Sequence, residues 1–189
     1  MKARSLSGLV AALLVTSAAA CSASSEPGIP HEICGAPIDP EIVRPLLVST
    51  SDLHEYNRVE PRQEESAPCV LLSGRDTALA FNFYRTRDAP DASQLVSGGG
   101  SLLDIAELRS VDARHGTAVG NNGAVSTSVC EAEKTDHLTL TLQLPRIART
   151  DRSHRGDIEK FMRAYFPATL KTLGCRTAPP ASPRPGQER

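Results

Sequence analysis

Leu138-Thr139-Leu140-Thr141-Leu142-Gln143-Leu144 alternates apolar and polar residues without a break. A period of two puts the four leucines on one face of a β-strand and Thr139, Thr141 and Gln143 on the other. One face should be buried and the other wet or partly covered, as in an antiparallel sheet. Shortly after it the period changes. Over 153–173, Ile158, Phe161, Met162, Tyr165, Thr169 and Leu173 form a stripe at helical spacing, which predicts an amphipathic helix. Pro167 should kink that helix or begin a second short segment. Gly174 suits its C-terminal stop.

Working back toward the N-terminus, Thr117-Ala118-Val119 and Ala124 to Cys130 flank Gly120-Asn121-Asn122-Gly123. Asn-Gly is a strong tight-turn signal, so these runs predict two strands and a hairpin turn. Ser101, with Asp104 three residues later, is similar to a capping box and predicts a short helix to about Leu108. Residues 88–100 contain Pro90 and three consecutive glycines and read as a mobile loop. Leu79, Phe81 and Phe83 alternate with Ala80, Asn82 and Tyr84, and Cys69-Val70-Leu71-Leu72 precedes the turn-forming Ser73-Gly74-Arg75-Asp76. Together they predict a β-hairpin. Residues 49–67 are polar and predict irregular structure. Asp39 can cap a helix, Pro40 suits its first position and Glu41 complements its positive end. Ile42, Val43, Leu46 and Leu47 share a face, while Pro45 predicts a short or kinked helix ending near Val48. The expected fold is α+β: an antiparallel sheet of about five strands, with the N- and C-terminal helices packed on one face and two disulfides.

The first twenty residues have the layout of a secretory signal. Lys2 and Arg4 form a positive start, residues 6–15 are apolar apart from Ser7 and Gly8, and residues 16–20 are small. The apolar run is short for a helix crossing about 30 Å of hydrocarbon. Ala18-Ala19-Ala20-Cys21 resembles a bacterial lipobox, although Ala18 stands where that pattern prefers leucine. The resemblance implies a diacylglyceryl group on Cys21; an ordinary secretory cleavage would cut the same bond. Two acyl chains suffice for stable anchoring where one is marginal. Residues 21–33 then read as the lipidated cysteine and a flexible tether, whose twelve residues after Cys21 reach at most about 40 Å. Residues 34–176 read as one domain. Residues 177–189, with four prolines and almost nothing apolar, read as a disordered tail.

The chain has five cysteines, at 21, 34, 69, 130 and 175. An odd number in an exported protein requires an explanation, and acylation of Cys21 leaves an even four. Four cysteines allow three pairings. Cys34 precedes the first helix and Cys69 opens a strand; Cys130 closes a strand and Cys175 follows the last helix. Pairing Cys34 with Cys69 and Cys130 with Cys175 would staple each helix to the sheet, each worth roughly 4 kcal/mol in the chain-entropy model. Zinc is disfavoured, because there is no C-x-x-C and no close Cys–His pair, and an oxidising compartment favours disulfides. No metal or other cofactor is expected.

Loss of residues 1–20 would leave 19 basic against 22 acidic residues. That argues against nucleic acid as a partner, which demands a basic excess. There is no tryptophan and few aromatics, so a carbohydrate-stacking platform is disfavoured. The five histidines, at 31, 54, 115, 137 and 154, show no i, i+4 pair and no H-E-x-x-H. No catalytic residue is assigned. A hydrolase would need His115 or His137 to meet a carboxylate such as Asp104 or Asp136. Ser97-Gly98-Gly99-Gly100-Ser101 could offer backbone N–H groups to an anion, but a flexible loop explains it as well. Arg146, Arg149, Arg152 and Arg155 recur every three residues. They could face anionic headgroups or an acidic partner, or form weak local ion pairs with acids such as Asp151 and Asp157.

The signal ending at Cys21, Cys34 before a short helix, Cys69 opening a strand, Cys130 closing one and a last helix ending at Cys175 resemble the layout of small actinobacterial lipoproteins. The resemblance implies a lipid-anchored location on the outer face of the cytoplasmic membrane and a binding or accessory role toward an envelope protein or small ligand. It supplies no active-site residue. The alternative expectation is a secreted hydrolase acting on envelope material.

Overall fold

The chain opens with a small hairpin, β1 (Glu32–Ile33) and β2 (Ala36–Pro37). Helix α1 (Pro40–Val43) and a 3-10 turn (Arg44–Leu46) follow. The main sheet is built from β3 (Leu53–Asn57), β4 (Ala67–Ser73), β5 (Asp76–Thr86), β6 (Arg109–Asp112), β7 (Thr117–Val119), β8 (Gly123–Val129) and β9 (His137–Gln143). Helix α2 (Arg155–Thr172) closes the fold. This computed structural model describes residues 28–60, 66–89, 104–112, 115–131 and 135–176. Cys21, residues 97–101 and the 177–189 tail lie outside the described residues.

The seven strands are antiparallel, in the order β3-β4-β5-β9-β8-β7-β6. Each half is a local meander, and β5 and β9 pair at the seam from Ala80↔Gln143 to Thr86↔His137. Leu138, Leu140, Leu142 and Leu144 are fully buried in one core with Leu71, Leu79, Phe81 and Phe83. Helix α2 lays Ile158, Phe161, Met162, Tyr165, Phe166 and Leu170 into the same core. The Phe81 ring lies 5.2 Å from that of Tyr165 and 6.1 Å from that of Phe161, centre to centre. Val43 and Leu46 bring the first helix to this face. The α+β class with both helices on one face therefore stands.

Two strands exceed the expected five. β3 falls in a stretch read as irregular, and β6 begins at the end of one read as a helix. Both are edge strands with mostly half-exposed or exposed residues, so neither carries an alternating signal. Residues 104–108 are not helical; Glu107 takes a positive φ of 52°. Order also begins before Cys34. Ile29 and Ile33 are buried, and Ile33 pairs with Ala36.

The Asp39 carboxylate caps α1 by accepting from Glu41 N at 2.9 Å, and Pro40 occupies the first turn, as expected. Pro45 limits the α-helix and falls in the 3-10 turn. Pro167, by contrast, does not divide α2. Phe161 and Tyr165 before it and Phe166 and Leu170 around it are all buried on the same face, which outweighs the lost backbone hydrogen bond. Gly174, at φ 68°, ends the helix. Disulfides join Cys34 to Cys69 and Cys130 to Cys175, with Cα separations of 5.9 and 4.5 Å. Both are compatible with an extracytoplasmic location. No described helix is long and apolar enough to cross a membrane.

Candidate functional site

The register gathers functional side chains at the two ends of the sheet. At one end β5 and β8 begin, β9 finishes and α2 starts. There the Gly120 to Gly123 turn closes the β7–β8 hairpin, with Gly120 N donating to Gly123 O at 2.8 Å. Its asparagines do more than turn the chain. Asn121 is fully buried and Asn122 nearly so. Asn122 Nδ2 donates to Asp104 O at 2.7 Å, and its Oδ1 accepts from Ala106 N at 2.9 Å. Asn121 N donates to Ala106 O at 2.9 Å. The Asn121 side chain donates to Arg149 O at 2.5 Å and accepts from Arg155 Nε at 2.6 Å. The turn thus ties the 104–107 segment to the start of α2. A Cβ on Gly120 would collide with Ile105 and the Ala106 carbonyl, and one on Gly123 with the Leu142 carbonyl.

All four arginines of the three-residue repeat stand at this end, and each meets a carboxylate from a distant segment. Arg146 pairs with Asp76. Arg149 pairs with Asp104 at 3.0 Å, and Arg152 and Arg155 each reach Glu107 at 2.7 Å. They form cross-element clamps; the local partners expected for them, Asp151 and Asp157, are not the ones used. Asp151 instead accepts from the N–H and hydroxyl of Ser153 at 2.9 and 2.7 Å. The hydrogen bond from Arg152 holds the Glu107 carboxyl below its ordinary range, with Arg155 adding to the effect. Ser153 does the same for Asp151. Beside the Arg146–Asp76 pair, Leu46, Val48, Ser73 and Thr77 border a shallow groove of about 270 Å³, counting space open to solvent. Val48 on its rim is 63% exposed.

At the opposite end β5 and β8 finish and α2 terminates. Cys130 and Cys175 join there, and Arg85 of β5 places Nη1 3.4 Å from Cys130 Sγ and Nη2 3.5 Å from Leu173 O. Partial burial pushes the Arg85 guanidinium below its ordinary value.

His115 meets a carboxylate, though neither Asp104 nor Asp136, and His154 faces Asp151 at 3.6 Å. His115 Nδ1 lies 3.5 Å from Asp112 Oδ2, and its ring stands edge-on to Phe166 at 6.0 Å. Asp112 also faces Arg163 at 3.7 Å. His137 Nδ1 approaches the Arg87 carbonyl at 3.1 Å, and Asp104 is engaged by Arg149. The bulge between Ser110 and Asp112 brings Asp112 opposite Thr117, close to His115. Among the described residues, Cys34, Glu55 and Cys69 gather their ligand atoms within 4.8 Å. Their sulfurs are bonded to one another, so the group offers no thiolate to a metal.

No family model, curated protein or solved structure matches this chain.

Sequence reasoning placed the cysteines together with their pairing, but placed the arginines without their partners. Glu107 had no signal, because its role depends on a positive-φ turn that brings two segments together. Asn121 and Asn122 were read only as turn residues. Adjacent asparagines between two glycines were the available hint.

Proposed function

We propose that this chain is an extracytoplasmic lipoprotein, anchored through Cys21 to the outer face of the cytoplasmic membrane, with a binding or accessory role in the cell envelope. Cysteine parity carries the reading. The two disulfides use every cysteine after residue 33, so Cys21, which follows the lipobox-like Ala18-Ala19-Ala20, is the one left over.

The geometry of the domain supports a defined entry point for the tether. Tyr165 donates to Ile33 O at 2.9 Å, and Gly35 lies against Thr172. The β1–β2 hairpin therefore sits beside the later turns of α2. The chain reaches it from Cys21 through a stretch of seven residues to Gly28, at most about 25 Å. The charged end lies at the start of α2, whose 18 residues make it about 27 Å long. The Arg146–Asp76 groove and the Glu107 clamps are then the part of the domain displaced from the entry of the tether, where an envelope protein or small ligand is more accessible than the lipid surface.

The test is an intact mass of the protein from the membrane fraction of its own host, before and after reduction and thiol labelling. The expected mass is residues 21–189 plus a diacylglyceryl group, with four thiols appearing only on reduction. An unmodified chain recovered from the medium, with Cys21 free or linked to another molecule, would overturn the anchor.

A further inference from the structure

A carboxylate stands beside one disulfide and a guanidinium beside the other. Cys34 and Cys69 are both buried, and Glu55 Oε2 accepts from Cys34 N at 2.6 Å. The Glu55 carboxylate and the two sulfurs lie within 4.8 Å of one another. A negative charge there opposes the formation of a thiolate at either sulfur. Cys130 is also buried, at 1% exposure, whereas Cys175 is only partly buried. A guanidinium stands beside Cys130, with Arg85 Nη1 donating toward its sulfur at 3.4 Å. A nearby cation stabilises a thiolate, and a leaving thiol of lower pKa departs faster.

We propose that Cys130–Cys175 is a thiol–disulfide exchange site for low-molecular-weight thiols, and that Cys34–Cys69 is not. The external thiolate attacks Sγ of Cys175, the less buried of the two cysteines, in line with the S–S bond. A bond forms between the incoming sulfur and Cys175 while the Cys175–Cys130 bond breaks. Its electron pair goes to Cys130 Sγ, which leaves as a thiolate beside Arg85. A second external thiolate then attacks the incoming sulfur of the mixed disulfide and releases Cys175 as a thiolate. The balance is two external thiols oxidised to one disulfide and one protein disulfide reduced to two thiols. The reverse sequence closes the site with an external disulfide as oxidant. Asymmetry is the essential feature: the sulfur of the less buried cysteine is attacked, and the buried sulfur leaves beside a guanidinium.

The experiment uses the oxidised full chain in native buffer with reduced glutathione as the probe. Aliquots are quenched with acid, alkylated and mapped by peptide mass. Cys130–Cys175 should open at least about threefold faster than Cys34–Cys69, as expected when a cation lowers the pKa of a leaving thiol by about one unit and the rate follows with a fractional slope. The transient glutathione adduct should sit on Cys175. Arg85→Met should slow the opening toward the Cys34–Cys69 rate, and Arg85→Lys should retain most of it. In concentrated denaturant the preference should vanish, because it belongs to the folded surroundings. Equal native rates for the two bonds, or an adduct on Cys130, would overturn the proposal. So would an Arg85→Met variant of native circular dichroism that opens as fast as the parent. If that variant does not fold, the parent rate ratio and the adduct position decide the matter.

Discussion

Tyr165 is the largest fully buried side chain and joins three parts of the chain. Its ring packs on Phe81 and Phe161, and its hydroxyl donates to the Ile33 carbonyl. Burial pushes the phenol far above its ordinary value near 10. The folded protein therefore keeps a proton that the unfolded chain releases above about pH 10. The contribution is complete below that pH and declines as pH rises further. Tyr165→Phe is expected to lose about 1–2 kcal/mol by leaving the carbonyl without its donor. It should also flatten the alkaline decline, measured as urea midpoints between pH 7 and 11. Parent and variant declining in parallel would remove Tyr165 as the cause. At this scale the helical stripe was legible, because Ile158, Phe161, Met162, Tyr165, Thr169 and Leu173 recur at helical spacing and all are buried. The hydrogen bond to Ile33 was not legible, since no local pattern links residues 132 apart.

Among the elements, the turn from Gly120 to Gly123 acts as a bracket between the 104–107 segment and the start of α2. Asn121→Ala would strand the Arg149 carbonyl and remove one acceptor from Arg155. It should cost about 2 kcal/mol, as for a buried polar group left without its partner. Glu107→Gln tests the ionic side of the same bracket. The Glu107 carboxyl is depressed in the folded state, so its contribution is present above its ordinary pKa and is lost as pH falls through the depressed value. The parent should therefore lose stability on acidification below about pH 4, and Glu107→Gln should show a smaller loss over that range. Identical acid limbs in thermal melts would discard the idea. Element by element, legibility followed position in the sheet. β9 is central and buried on its leucine face, so its alternation was plain. β3 and β6 have a partner on one side only and need no regular pattern. Pro167 was over-read because the burial on both sides of it was not weighed against one lost hydrogen bond.

For the molecule as a whole, the decisive pairing is β5 with β9, which joins two local meanders. Its register spans 51 residues at Thr86↔His137, and no sequence pattern announces such a contact. The disulfides, in contrast, were legible from the placement of cysteines beside helices and strands. Replacing both Cys34 and Cys69 with serine opens a loop of sequence separation 35 and should cost about 2–4 kcal/mol. A lowered urea midpoint with retained secondary structure is the expected result. An unchanged midpoint would show that the link adds nothing beyond the packing around it.

Each disulfide lies within one meander and its flanking segment, and neither crosses the β5–β9 seam. After residue 33 each link joins neighbours in the order of cysteines along the chain, first with second and third with fourth. A polypeptide delivered from its N-terminus can complete the first bond before either cysteine of the second has emerged. Where oxidation keeps pace with delivery, the other two pairings, one interleaved and one nested, are disfavoured by timing. Under that condition maturation leaves little for an isomerase to undo.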